Sequence, residues 1–241
     1  MKKLLSLILS AVLIFSVFPN MNVEAADVKK QAMNAYADIL QQYLTAEKLI
    51  EELGYDVWNH FENSGLEDVT PKFIGMYLGD TCDEVSYCIK DINNDGIPEL
   101  FISEFEICTY YNGKAVHLER DLGERTNSTL CKNGIVEIWG HAAAYCERDF
   151  YKLPKNKGKL KIVCNLGYSL NGATNKMTYH YKINGKSKTI SEEKYNNLLK
   201  KYRKPVKLTF YDADSKAVDN LRNGMVSYPG QKKIIVKDGF Q

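Results

Sequence analysis

Asp91-Ile92-Asn93-Asn94-Asp95-Gly96-Ile97-Pro98-Glu99 places oxygen-bearing side chains at alternate positions and separates two strand-like stretches, 85–90 and 100–105. A short polar loop with a strand on each side commits the middle of the chain to a β-sheet. Upstream, the period is helical. Met33, Tyr36, Leu40, Tyr43 and Leu44 recur at three and four residues and make one apolar face. Leu49, Ile50 and Leu53 either continue that helix or form a second turn before Gly54 ends it. Residues 55–78 carry Trp58, Phe61, Phe73, Ile74 and Tyr77 as core material, interrupted at Ser64-Gly65 and Thr70-Pro71, and read as one or two short helices.

Downstream the period changes to two. Asn-Gly recurs at 112–113, 133–134, 171–172, 184–185 and 223–224, and this dipeptide suits a hairpin turn whose two central residues both need positive φ. The intervals are irregular, which excludes a blade or solenoid repeat. A second helix is expected over 191–202, with Ser191 as cap, Glu192 and Glu193 in its first turn, and Pro205 beyond its end. A strand at 206–211, a helical turn capped near Asp214 and a closing hairpin over 225–236 complete the chain. The expected architecture is α+β: an N-terminal amphipathic helix or helices packed on one mainly antiparallel sheet of Asn-Gly hairpins, as a single domain over 26–241.

The loop chemistry points to calcium, a hard cation that takes six to eight oxygens. Asp91, Asn93 and Asp95 offer side-chain oxygens, the Ile97 carbonyl a fourth ligand, and Glu99 one or two more, with Gly96 allowing the bend. An EF-hand is excluded by Ile102 at the twelfth position, by Pro98, which lacks an N–H, at the eighth, and by the strand-like flanks. The alternative is a tight Asx-type turn without metal.

The loop resembles those of FG-GAP (integrin-type) and VCBS-type repeats, which place ligands at positions one, three, five, seven and nine. A single copy does not imply their propeller. The wider layout, with Pro-Glu-Leu after the loop and Asn-Gly pairs beyond, resembles a group of secreted bacterial proteins. That resemblance implies calcium and secretion, without an activity.

Residues 1–25 read as a signal peptide. Lys2 and Lys3 precede an apolar run over 4–18, and Val23-Glu24-Ala25 suits cleavage after Ala25. The run is about 15 residues, short of the ~20 a spanning helix needs, so no transmembrane segment is expected in the mature chain. Secretion favours disulfides among Cys82, Cys88, Cys108, Cys131, Cys146 and Cys164. Cys146 is expected nearly opposite Cys164 if 155–158 is a hairpin loop. A formal net charge of +2 gives no electrostatic case for a nucleic-acid partner.

The sequence contains no HExxH, GxSxG or Walker-type loop. His141 near Cys146 is read as structural, and Asp212 and Asp214 as turn and cap. Glu104, Glu106, Glu137 and Glu147 are candidates for a carboxylate pair. Tyr110, Tyr111, Tyr145, Tyr151, Tyr168, Tyr179 and Tyr181 are candidates for a sugar-stacking row, or for ordinary strand packing. The expected function is a secreted, calcium-stabilised domain that binds an extracellular protein or glycan without catalysis. The competing expectation is a hydrolase of cell-wall or host polymer.

Overall fold

The structure, a computed structural model, describes residues 2–61, 65–79, 84–103, 106–118, 127–142 and 144–236. Helix α1 (Lys2–Leu53) begins inside the expected signal peptide and runs on through the amphipathic stretch. Met33, Tyr36, Leu40 and Tyr43 are wholly buried along it. Gly54, at φ 55°, ends it, a 3₁₀ turn follows at Gly54–Asp56, and α2 (Val57–Phe61) continues the chain. Trp58 is 41% exposed and is not core material, contrary to the sequence expectation. The break at Thr70-Pro71 starts α3 (Pro71–Leu78), where the Phe73 N–H donates to Thr70 Oγ1 at 3.2 Å and proline sits in the first turn.

The expected single sheet is replaced by two six-stranded antiparallel sheets. The first contains β1 (Ser86–Lys90), β2 (Glu99–Ile102), β3 (Glu106–Tyr111) and β4 (Lys114–His117), with β11 (Leu208–Asp212) and β12 (Lys233–Val236) beside β1, in the order β12-β11-β1-β2-β3-β4. The second is formed by β5 (Asn127–Cys131), β6 (Ile135–Ala142), β7 (Tyr145–Lys152), β8 (Lys161–Asn171), β9 (Lys176–Ile183) and β10 (Lys186–Ile190), in sequence order. Helix α4 (Glu192–Tyr202) leads back to the first sheet, and α5 (Ser215–Arg222) separates β11 from β12.

The Asn-Gly pairs divide by role. Asn112-Gly113 joins β3 to β4 and Asn184-Gly185 joins β9 to β10, all four residues at positive φ. Asn133-Gly134 forms a 3₁₀ turn between β5 and β6. Asn171 instead opens a wider loop, its Oδ1 accepting from the N–H groups of Ala173 and Thr174, and Asn223-Gly224 ends α5. The closing hairpin expected over 225–236 does not form, because β12 pairs with β11 from Leu208↔Val236 to Tyr211↔Lys233.

Strand alternation makes four layers. One face of the first sheet, through Tyr87, Leu100, Ile102 and Cys108, packs on α1, α3 and α5. Its other face, through Cys88, Phe101, Ile107 and Phe210, meets Leu130, Val136 and Ile138 of the second sheet. The far side of the second sheet buries Phe150, Cys164 and Leu166 against Tyr195 of α4, with Leu198, Leu199 and Tyr202 beside them. Both faces of the first sheet are therefore covered, and β2 is buried at every position.

Candidate functional site

The 91–99 loop links β1 to β2 and is held by its own backbone. Asp91 Oδ1 accepts from the Asn94 N–H at 2.7 Å and Oδ2 from the Gly96 N–H at 3.0 Å. Asn93 Oδ1 accepts from the Asp95 N–H at 3.0 Å, and Asp95 Oδ1 from the Ile97 N–H at 2.9 Å. Asn93 Nδ2 donates to Asp95 Oδ2 at 2.9 Å. Glu99 is fully buried, accepting from the Ile92 N–H at 2.9 Å and from the Thr109 hydroxyl at 3.1 Å. Burial pushes its carboxyl up to about 8, with Asp95 and Asp91 adding to the rise against those two hydrogen bonds.

All four expected side-chain ligands therefore stand within one loop, but their oxygens face N–H and O–H donors. Among the described residues, no group of three or more His, Cys, Asp or Glu side chains converges as a metal centre. The donor chemistry still suits a hard dication. Among the described residues Asp91, Asp95 and Glu99 have no ion-pair partner, and a carboxylate oxygen with one hydrogen bond keeps a second lone pair.

Three layers of the fold meet on this loop. The Tyr36 hydroxyl of α1 donates to the Pro98 carbonyl at 2.8 Å. The Asn156 N–H, in the β7–β8 connection, donates to Asp95 Oδ2 at 3.2 Å. Gly134 sits so close that a Cβ there would stand 1.9 Å from the Ile92 carbonyl oxygen.

A separate concave site of about 490 Å³ opens on the second sheet. Register places its floor on three neighbouring strands: Asp149 faces Asn165, Asn165 faces Lys182, and Gly167 lies between Glu147 and His180. Asn165 Nδ2 donates to both Glu147 Oε2 at 2.6 Å and Asp149 Oδ1 at 2.9 Å. His180 Nε2 lies 2.9 Å from Glu147 Oε1. Tyr151 donates its hydroxyl to Asp149 Oδ2 at 3.2 Å. Gly167 makes room for the His180 ring, whose atoms would lie 2.4 Å from a Cβ. Glu147 was legible as a candidate, whereas Asp149, Asn165, His180 and Lys182 were not. Their signal is a polar pair at i and i+2 on each of two strands, which means nothing until the strands are paired.

The other candidates are structural. Glu106 accepts from the hydroxyls of Tyr43 and Thr70 and lies 3.3 Å from His117 Nδ1. Cys108 Sγ is 3.4 Å from the same nitrogen, while His117 Nε2 is buried without a hydrogen-bond partner among the described residues. A relay needs one group on each ring nitrogen, so this Cys-His-Glu cluster is not one. Glu137 is buried between Arg148 at 2.6 Å and Arg203 at 3.0 Å. Glu104 lies outside the described residues. Asp214 Oδ1 accepts from the Ala217 N–H at 2.7 Å and caps α5. His141 stacks on Trp139 at 5.4 Å, and Cys146 across from it is buried.

The candidate sugar-stacking row is dispersed: Tyr168 and Tyr179 pack on Tyr195 beneath α4 at 6.2 and 5.1 Å, Tyr110 packs on the α1 side of the first sheet, Tyr151 lies between the sheets and Tyr145 is exposed. Cys82 also lies outside the described residues. The other five cysteines, Cys88, Cys108, Cys131, Cys146 and Cys164, are free and buried. Cys146 stands opposite Tyr168 and Cys164 opposite Phe150, a stagger of about 13 Å at the rise of a strand, so the expected Cys146–Cys164 bond does not form. Cys88 and Cys108 point to opposite faces of the first sheet.

No helix among the described residues is long and apolar enough to cross a membrane. No family model, curated protein or solved structure matches the chain.

Proposed function

We propose that this chain is a secreted, calcium-stabilised domain that acts outside the cell by binding an extracellular protein or glycan. The observation that carries the reading is the place of the 91–99 loop, at which α1 and both sheets meet around three carboxylates that have no cationic partner among the described residues. Asp91, Asn93, Asp95, the Ile97 carbonyl and Glu99 would hold the ion, which supplies the missing positive charge at that junction. Secretion through residues 1–25 delivers the protein to a medium rich in calcium. At an extracellular affinity of roughly 10⁻⁴–10⁻³ M, millimolar calcium stabilises the fold by about 0.4–1.4 kcal/mol.

Thermal melting in calcium, magnesium and EDTA tests this. Calcium raises the wild-type melting temperature, magnesium does so far less, and Asp95→Ala abolishes the difference between calcium and EDTA. Equal melting in calcium and EDTA would sink the metal assignment.

The second reading, a hydrolase of cell-wall or host polymer, draws on Glu147 and Asp149. One amide nitrogen touches both, which holds two carboxylates on one floor, the residue types a glycosidase uses. Release of a chromophore from aryl glycosides, lost in Glu147→Gln, would favour this reading over binding alone.

A further inference from the structure

We propose that the concave site on the second sheet binds a neutral carbohydrate, engaging adjacent hydroxyls of a sugar ring. This rests on the reading of the chain as an extracellular binding domain and supplies its ligand class.

Charge excludes the alternatives in turn. A divalent cation would need the space between Glu147 and Asp149, and Asn165 fills it with its amide N–H groups. The amide cannot turn its oxygen there, because two carboxylates would then face a third acceptor. An organic ammonium would share the site with the Lys182 side chain. A phosphate or other anion would meet Glu147 and Asp149. A neutral ligand that donates and accepts at once satisfies every wall. Sugar hydroxyls donate to the remaining lone pairs of Glu147 and Asp149 and accept from Lys182 and Ser187 on the opposite side.

Two further features fit a ring lying on the sheet. Gly167 seats the His180 ring flat on the sheet beside Glu147, since any side chain there would collide with that ring. Ile162, half exposed at the rim, offers an apolar patch for the C–H face of the sugar. Asn165 is 9% exposed and bonded to both carboxylates, so the acceptors are fixed before the ligand arrives. Beyond its contacts with Asn165 and His180, the Glu147 side chain keeps 46% of its surface exposed.

Titration followed by amide chemical shifts tests the site. The probes are glucose, galactose, mannose, N-acetylglucosamine and their β-1,4-linked disaccharides, with spermidine and inorganic phosphate alongside. At least one sugar should shift the amides of 147–149, 165–167 and 180–182, and Glu147→Gln and Lys182→Met should each weaken it roughly tenfold to a hundredfold, the size of one charge-assisted hydrogen bond. Both variants should keep the wild-type circular dichroism, because neither side chain is in a core cluster. The proposal is overturned if no sugar in the panel binds, if spermidine or phosphate binds in preference, or if sugar binding survives both substitutions. Failure here with a calcium-dependent melting temperature leaves the domain reading standing, and sugar binding without a calcium effect leaves only the pocket.

Discussion

His117 shows how one residue can tie pH to stability without any catalytic part. Burial alone would lower its pKa, but the neighbouring Cys108 and Glu106 more than offset this and raise it to about 10. A histidine raised above its unfolded value of about 6.5 contributes stability that is complete below that pH and is lost as pH rises towards 10. The wild-type melting temperature should therefore fall between pH 7 and pH 10. His117→Gln should flatten that slope, with Tyr43, Glu106 and Cys108 left in place around it; an unchanged slope would remove the ion pair from the account. Gly134 is a purely steric case. Its φ of 65° and the 1.9 Å approach to the Ile92 carbonyl leave no room for a methyl group. Gly134→Ala should cost more than about 1 kcal/mol in denaturant unfolding. If the variant melts like wild type, the loop does not dock on the β5–β6 turn as described.

At the scale of elements, the helices were the most legible part of the chain. The three-and-four spacing of Met33, Tyr36, Leu40 and Tyr43 identifies the buried face of α1, and all four are fully covered. Ser191 accepts from the Lys194 N–H at 3.2 Å and opens α4 where its sequence signature stands. Because Leu40 is wholly buried where α1, with α3 and α5, covers one face of the first sheet, Leu40→Ala should destabilise by about 2–5 kcal/mol. Ser191→Ala should cost only about 1 kcal/mol, since α4 is otherwise anchored by Tyr195, and urea midpoints compare the two directly. The strands were legible as strands, but their partners were not. β1 pairs with β11 across more than a hundred residues of sequence, and no local pattern encodes a contact at that distance. The 225–236 segment misleads for the same reason: its apolar residues suit a strand, and the partner it takes is β11.

For the molecule as a whole, the cysteines test the four-layer arrangement. Burial pushes the thiols of Cys88, Cys131 and Cys164 up to about 11, and buried thiols are slow to react. An aromatic-disulfide thiol assay without reductant should label few cysteines in the native protein and at least five of the six in denaturant. Four or fewer in denaturant would mean a disulfide that this arrangement of strands does not allow. Sequence alone determined the α+β character, the two capped helices and the loop of alternating oxygens, because each depends on a period or turn chemistry confined to a few neighbouring residues. Only the tertiary structure decided that there are two sheets, that the candidate tyrosines are dispersed over several layers, that the loop joins three layers, and that Glu147, Asp149, Asn165, His180 and Lys182 share one floor. Those facts depend on register between distant strands, which is set by the burial of whole faces and cannot be read from any single stretch of chain.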